Sequence, residues 1–162
     1  MNVLNNDILT NQELHMENVL SFRGKLSVNA VKEKMQQIDM FLSDNYLKKT
    51  APTVTITYAL EQKGMEQVLD MEILLAIDKQ FSPPENCMLK PIFHLTNSVS
   101  IRHVGNPMKL QDTVNRLLEY IKNSDLTPIT GAYNMTVKEA VSQDDLDNMI
   151  VDVYIGVSPN IT

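Results

Sequence analysis

The sequence runs twice through the same order of amphipathic patterns, and that order restricts the fold more than any other feature. Residues 18–25 read as a strand ending near Gly24, and Ser27 is placed to cap a helix that runs to about Asn45. Val28, Val31, Met35, Ile38 and Leu42 recur three or four apart, the spacing of one buried helical stripe. After Pro52, Val54, Ile56, Tyr58 and Leu60 alternate with Thr53, Thr55, Thr57 and Ala59, as in a half-buried strand. A turn at Gly64 returns the chain through Leu69, Met71, Ile73, Leu75 and Ile77. The unit is strand–helix–hairpin.

The second pass follows a break at residues 80–91 that holds Pro83, Pro84 and Pro91. Residues 93–104 form a strand closed by Gly105, and residues 108–123 a helix striped by Leu110, Val114, Leu117, Leu118 and Ile121. Pro128 opens a strand through Val137, and the turn at Asp144-Asp145 leads to a last strand over 149–157. Gly24 aligns with Gly105, Pro52 with Pro128 and Ala76 with Gly156. The expectation is an α+β fold of two β-α-β-β repeats with antiparallel sheets, helices on one face and a groove between the repeats. Residues 1–17 are an N-terminal extension, 18–79 the first repeat, 80–91 a linker and 92–158 the second repeat, together one domain.

A chain of 162 residues can bury such a core without metal or disulfide staples. Its formal net charge of −6 and lack of any Lys/Arg run argue against nucleic-acid binding. Cys87 is the one cysteine, so an internal disulfide and a Cys-based zinc centre are excluded. No HxxxH or HExxH spacing is present; His94 and His103 differ in strand parity, and His15 lies in the N-terminal segment. The isolated glycines build no phosphate loop, and neither GxSxG nor SxxK marks an activated serine. Neither metal nor cofactor is expected. The N-terminus lacks the pattern of a signal peptide and no apolar run reaches a membrane span, so the expected location is cytoplasmic, with no membrane partner.

A strand–helix–hairpin unit covers one sheet face with its helix and leaves the other bare. On the last strand Val151, Val153, Ile155 and Val157 take the helix side, and Asp152 and Tyr154 the bare side. In the first repeat the bare side carries Asp70, Glu72 and Leu74, so Glu72 is equivalent to Asp152. A cleft with two carboxylates and aromatic walls would suit a cationic or polar organic ligand; a solvated sheet face carries the same pattern. His94, Thr96, Ser98, Ser100 and Arg102 make a second polar stripe with the same two readings. Tyr58, in phase with the apolar side of its strand, reads as core. Tyr133 and Glu139 complete the set of polar candidates on the neighbouring strand.

The order of elements resembles the GyrI-like superfamily, the AraC-type effector-binding or SOUL-like domains of bacteria and their stand-alone relatives. Val99-Ser100-Ile101-Arg102-His103-Val104-Gly105-Asn106-Pro107 is similar to that family's strand running into a helix. Leu117-Leu118-Glu119-Tyr120-Ile121 resembles its mid-helix core, and Thr127-Pro128-Ile129-Thr130-Gly131-Ala132-Tyr133 the start of its third strand. Asp152-Val153-Tyr154-Ile155-Gly156-Val157 resembles its closing strand, with Gly156 where proline is usual. The resemblance implies a groove in which a carboxylate and aromatic rings hold a small organic ligand, with Glu72, Asp152, Tyr154, Arg102, Tyr133 and Glu139 as the ligand-binding candidates. It also admits a protein-interaction role, such as an immunity or accessory protein to a secreted toxin, which the acidic charge suits. A small-molecule hydrolase using Glu and Tyr is a third reading. A non-catalytic binding protein comes first, its oligomeric state open.

Overall fold

A computed structural model describes residues 7–160. These residues gather into two compact units: one is Met16–Phe93, and the other joins residues 7–15 to residues 94–160. The architecture is α+β with antiparallel strands, as the patterning requires.

In the first unit β1 (Ile8–Ser27) leads into α1 (Val28–Asp44), followed by the hairpin β2 (Val54–Lys63) and β3 (Glu66–Ala76). Ser27 caps α1 as expected, its hydroxyl accepting from the Ala30 N–H at 3.2 Å. Gly64, at φ +62°, makes the tight hairpin turn. β3 lies between β1 and β2, with Phe22 opposite Ile73 and Val54 opposite Leu74. Leu20, Phe22, Met71, Ile73 and Leu75 pack against Ile38 and Leu42 of α1. Each such side chain, fully buried, stabilises the fold by about 1.5–3 kcal/mol.

In the second unit β4 (Cys87–Val104) passes through a 3-10 turn, Pro107–Lys109, into α2 (Leu110–Asn123). β5 (Leu126–Lys138), a 3-10 turn at Gln143–Asn148 and β6 (Ile150–Pro159) follow. β6 is central, flanked by β4 and β5. Val99, Ile101, Val151, Val153, Ile155 and Val157 meet Val114, Leu117 and Ile121 of α2. His103 is buried and pins the start of the helix: Nδ1 lies 2.7 Å from the Thr113 hydroxyl and Nε2 3.0 Å from the Asn106 carbonyl.

Three local readings change. β1 begins at Ile8 rather than at 18, because left-handed backbone at Asn11 (φ 54°) and Asn18 (φ 50°) breaks the alternation that would reveal it. β4 begins at Cys87, so part of the proline-bearing stretch 80–91 is strand, with Pro91 inside it. Leu118 is 40% exposed, and the buried stripe of α2 runs through Val114, Leu117 and Ile121. The division between units falls inside β1 and inside β4, so the first stretch of each long strand belongs to one unit and its remainder to the other. Among the described residues no helix is long and apolar enough to cross a membrane.

Candidate functional site

Glu72 sits at the middle of β3, on the face opposite α1, with Arg23 of β1 and Ile56 of β2 directly across from it. To one side of Glu72 that face is apolar and dry: Val19, Val54, Ile56 and Leu74 are at most 1% exposed, and the Glu72 side chain is only 7% exposed. A carboxylate so placed must be fully hydrogen-bonded. Ser21 donates its hydroxyl to Oε2 at 2.5 Å, Tyr58 donates to Oε1 at 2.9 Å, and the Lys90 ammonium donates to Oε2 at 2.5 Å. Ser21 is itself buried, whereas the Lys90 side chain is 32% exposed.

Burial pushes the Glu72 carboxyl up, but the bonds from Lys90, Ser21 and Tyr58, with the Lys90 charge, outweigh it and hold it below the ordinary carboxylate value. Tyr58 gets its position from a bulge. The β2–β3 register shifts between Thr57 and Ala59, leaving Tyr58 as the extra residue. It is 46% exposed, and the Arg23 guanidinium lies 3.9 Å from its ring centroid. The same guanidinium forms a fork to Asp70, with two bonds of 3.1 Å. That bond raises the Arg23 pKa and lowers that of Asp70.

The second unit holds the equivalent acid differently. Asp152 on β6 faces Arg102 on β4, and the two bond as a fork at 2.8 and 2.9 Å, the Arg102 side chain 54% exposed and that of Asp152 17%. In the adjoining row Tyr154 lies between Ser100 and Tyr133. Burial raises the Tyr154 hydroxyl pKa, Asp152 adds to the rise, and Arg102 opposes it.

The structure thus brings Arg102, Asp152, Tyr154 and Tyr133 onto one sheet face of one unit, and places Glu72 in the other unit. Glu139 is exposed and lies beyond the end of β5. Sequence reasoning missed Ser21, Lys90 and Tyr58. Ser21 and Lys90 carry no pattern of their own, and Tyr58 reads as core because alternation cannot foresee a bulge. Among the described residues no group of His, Cys, Asp and Glu is arranged to hold a metal ion. An open cleft of about 410 Å³ at the start of α1, lined by Ser27, Asn29, Met65 and Gln67 among others, shares no residue with the Glu72 cluster.

No family model matches the chain, and a search of curated proteins returns no match. Solved structures do match. The C-terminal domain of EcmrR superposes with a TM-score of 0.74 at 15% identity, over 94% of this chain and 97% of that one. In the cryo-EM structure of the EcmrR–DNA complex the TM-score is 0.75 at 14% identity, and the match spans 58% of the length of the EcmrR chain. A hydrolase from Listeria innocua gives 0.60 at 13% identity, over 91% of this chain and 92% of that one. SAV2435 bound to tetraphenylphosphonium gives 0.50 at 6% identity, over 93% and 92%. Architecture and likeness agree: this chain has the fold of the EcmrR C-terminal domain.

Proposed function

We propose that the chain is a non-catalytic binding protein of the GyrI-like effector-binding type, which holds a small organic cation against Glu72 and Tyr58. The observation that carries this reading is a nearly buried carboxylate, bonded by two neutral hydroxyls on fixed strands and one ammonium on a flexible stem. Such a group demands one positive charge beside it. A proton shuttle would need a carboxyl tuned up toward neutrality. Glu72 is shifted the other way, so it stays ionised and serves as a fixed counter-charge rather than as an acid or base. Asp152 already has its cation in Arg102, which is why the seat is assigned to Glu72. That a protein of similar fold, SAV2435, is bound to tetraphenylphosphonium supports the ligand class.

Isothermal titration with tetraphenylphosphonium tests it. A charge-assisted contact of about 1.5–3 kcal/mol means that Glu72→Gln weakens binding by about 10- to 100-fold. Tyr58→Phe, which keeps the ring and removes one donor, costs less. A Glu72→Gln protein that binds the cation as wild type does would refute the assignment.

A further inference from the structure

We infer that Lys90 is a tethered competitor: its ammonium occupies the seat that an external cation takes, so binding is an exchange and Lys90 sets the threshold a ligand must exceed. The inference rests on the cation-binding reading above and adds to it the residue that decides selectivity. Three features carry it.

The first is the unequal hold on the three donors. Ser21 is buried on β1 and Tyr58 is fixed in the β2 bulge, whereas Lys90 reaches Glu72 along a four-carbon stem and keeps a third of its surface in water. Such a side chain swings into solvent without disturbing either strand. The second is charge. Arg23 stands across from Glu72 but is committed to Asp70 and the Tyr58 ring, so the positive charge bonded to the Glu72 carboxylate is that of Lys90. The third is the contrast between repeats. The offset that carries Arg23 to Arg102 carries Asn11, in the first stretch of β1, to Lys90. There Arg102 already neutralises Asp152, and the chain supplies an uncharged side chain. At this place in the strand a lysine stands only in the unit whose acid lacks its arginine.

The chemical consequence is a ligand class. An external primary ammonium offers Glu72 nothing that Lys90 does not, and it must also surrender its translational freedom. A quaternary or delocalised cation brings apolar surface with its charge and displaces Lys90 on that account. The seat therefore selects bulky organic cations over simple alkylamines.

The test uses the full chain, with tetraphenylphosphonium and butylammonium as probes, titrated at pH 8. If Lys90 fills the seat in nine molecules of ten, the apparent affinity is lowered about tenfold, and Lys90→Met restores it. The expected result is about tenfold tighter tetraphenylphosphonium binding by Lys90→Met, with butylammonium binding gained as well. Unchanged or weaker binding by a folded Lys90→Met protein that still loses the ligand on adding Glu72→Gln overturns the competitor role and leaves the Glu72 seat standing. Binding that ignores Glu72→Gln overturns both. Should Lys90→Met fail to fold, acetylation of wild-type Lys90 by acetic anhydride, followed by mass spectrometry, reads the same exchange. Saturating tetraphenylphosphonium speeds Lys90 labelling severalfold if the ammonium is expelled; protection or no change refutes the exchange.

Discussion

Removing the Ser21 hydroxyl isolates what the neutral donors contribute to the buried carboxylate. Ser21 is 2% exposed and its Oγ lies 2.5 Å from Glu72 Oε2. In Ser21→Ala the carboxylate keeps Tyr58 and Lys90 but loses a charge-assisted bond made on its buried side, a loss of about 1.5–3 kcal/mol. For a domain of this size each kcal/mol lowers Tm by about 2–4 °C, so the expected fall is about 3–12 °C. The control is the same substitution in a Glu72→Gln background. A neutral amide acceptor makes the bond worth about 0.5–1.5 kcal/mol, so the double-mutant cycle should show a coupling of about 1 kcal/mol. Urea unfolding at neutral pH gives all four stabilities. Two results defeat the reasoning: a Ser21→Ala protein within about 0.5 kcal/mol of wild type, or an equal loss in both backgrounds.

Glu72 and Asp70 both titrate below their ordinary values of 4.5 and 3.8, so the unfolded chain binds more protons in acid. The stability they contribute is complete above the unfolded values and is lost as pH falls through the folded ones, and Glu72→Gln should flatten that acid limb in urea titrations over about pH 3–7. Arg102→Met breaks an exposed fork and should cost at most about 1 kcal/mol, a cost that half-molar salt removes; a larger, salt-insensitive loss would place the pair in a drier setting than its exposure indicates. Gly156→Ala puts a methyl 2.9 Å from Thr130 Cγ2 and 3.0 Å from Leu95 Cδ1. Thermal unfolding should report an overpacking loss of about 1–3 kcal/mol, relieved by Thr130→Ser, which deletes Cγ2 yet keeps the hydroxyl that accepts from the Gly156 N–H. Asp70→Ile frees Arg23 to turn to Glu72, and calorimetry should then show weaker tetraphenylphosphonium binding; unaltered binding would mean that Arg23 stays away from Glu72 without Asp70 to hold it.

The order of elements was legible, and so were both helix stripes apart from Val28 and Leu118, which are exposed, because they rest on periodicity, which packing enforces along a whole element: Met71, Ile73 and Leu75, or Val151, Val153 and Ile155, show it strand by strand. Glu72 and Asp152 were legible for the same reason, as polar residues out of phase with an apolar alternation. The rest of the site was not. Ser21 reads as one polar residue among several in β1, and Tyr58 reads as core until the register slips beside it. Lys90 stands next to Pro91, in a stretch whose prolines signal a linker although Cys87–Val104 is one strand. Long-range pairing placed these residues, and pairing leaves no period in a single sequence.

The two units treat the same cross-strand arrangement of acid and arginine differently. Each places an arginine on its first strand directly across from an acid on its last, Arg23 with Glu72 and Arg102 with Asp152. What differs is the residue two positions before the acid: Ile150 in the second repeat, Asp70 in the first. The Arg23 fork commits Nε and Nη2 to Asp70, and the same guanidinium lies against the Tyr58 ring. With Ile150 beside it, Arg102 has only Asp152 to take and closes on it at 2.8 and 2.9 Å. With Asp70 present, Arg23 forks outward instead, where its side chain stays 51% exposed and keeps its water. Pairing with Glu72 would strip that hydration, and desolvation of a second ion is what makes buried pairs unfavourable. The inner carboxylate is then left to two hydroxyls and a lysine, a weaker and more exchangeable guard than an arginine fork. On the cation-binding reading proposed above, a single acid at position 70 turns a cross-strand ion pair into a site whose carboxylate can exchange its cation.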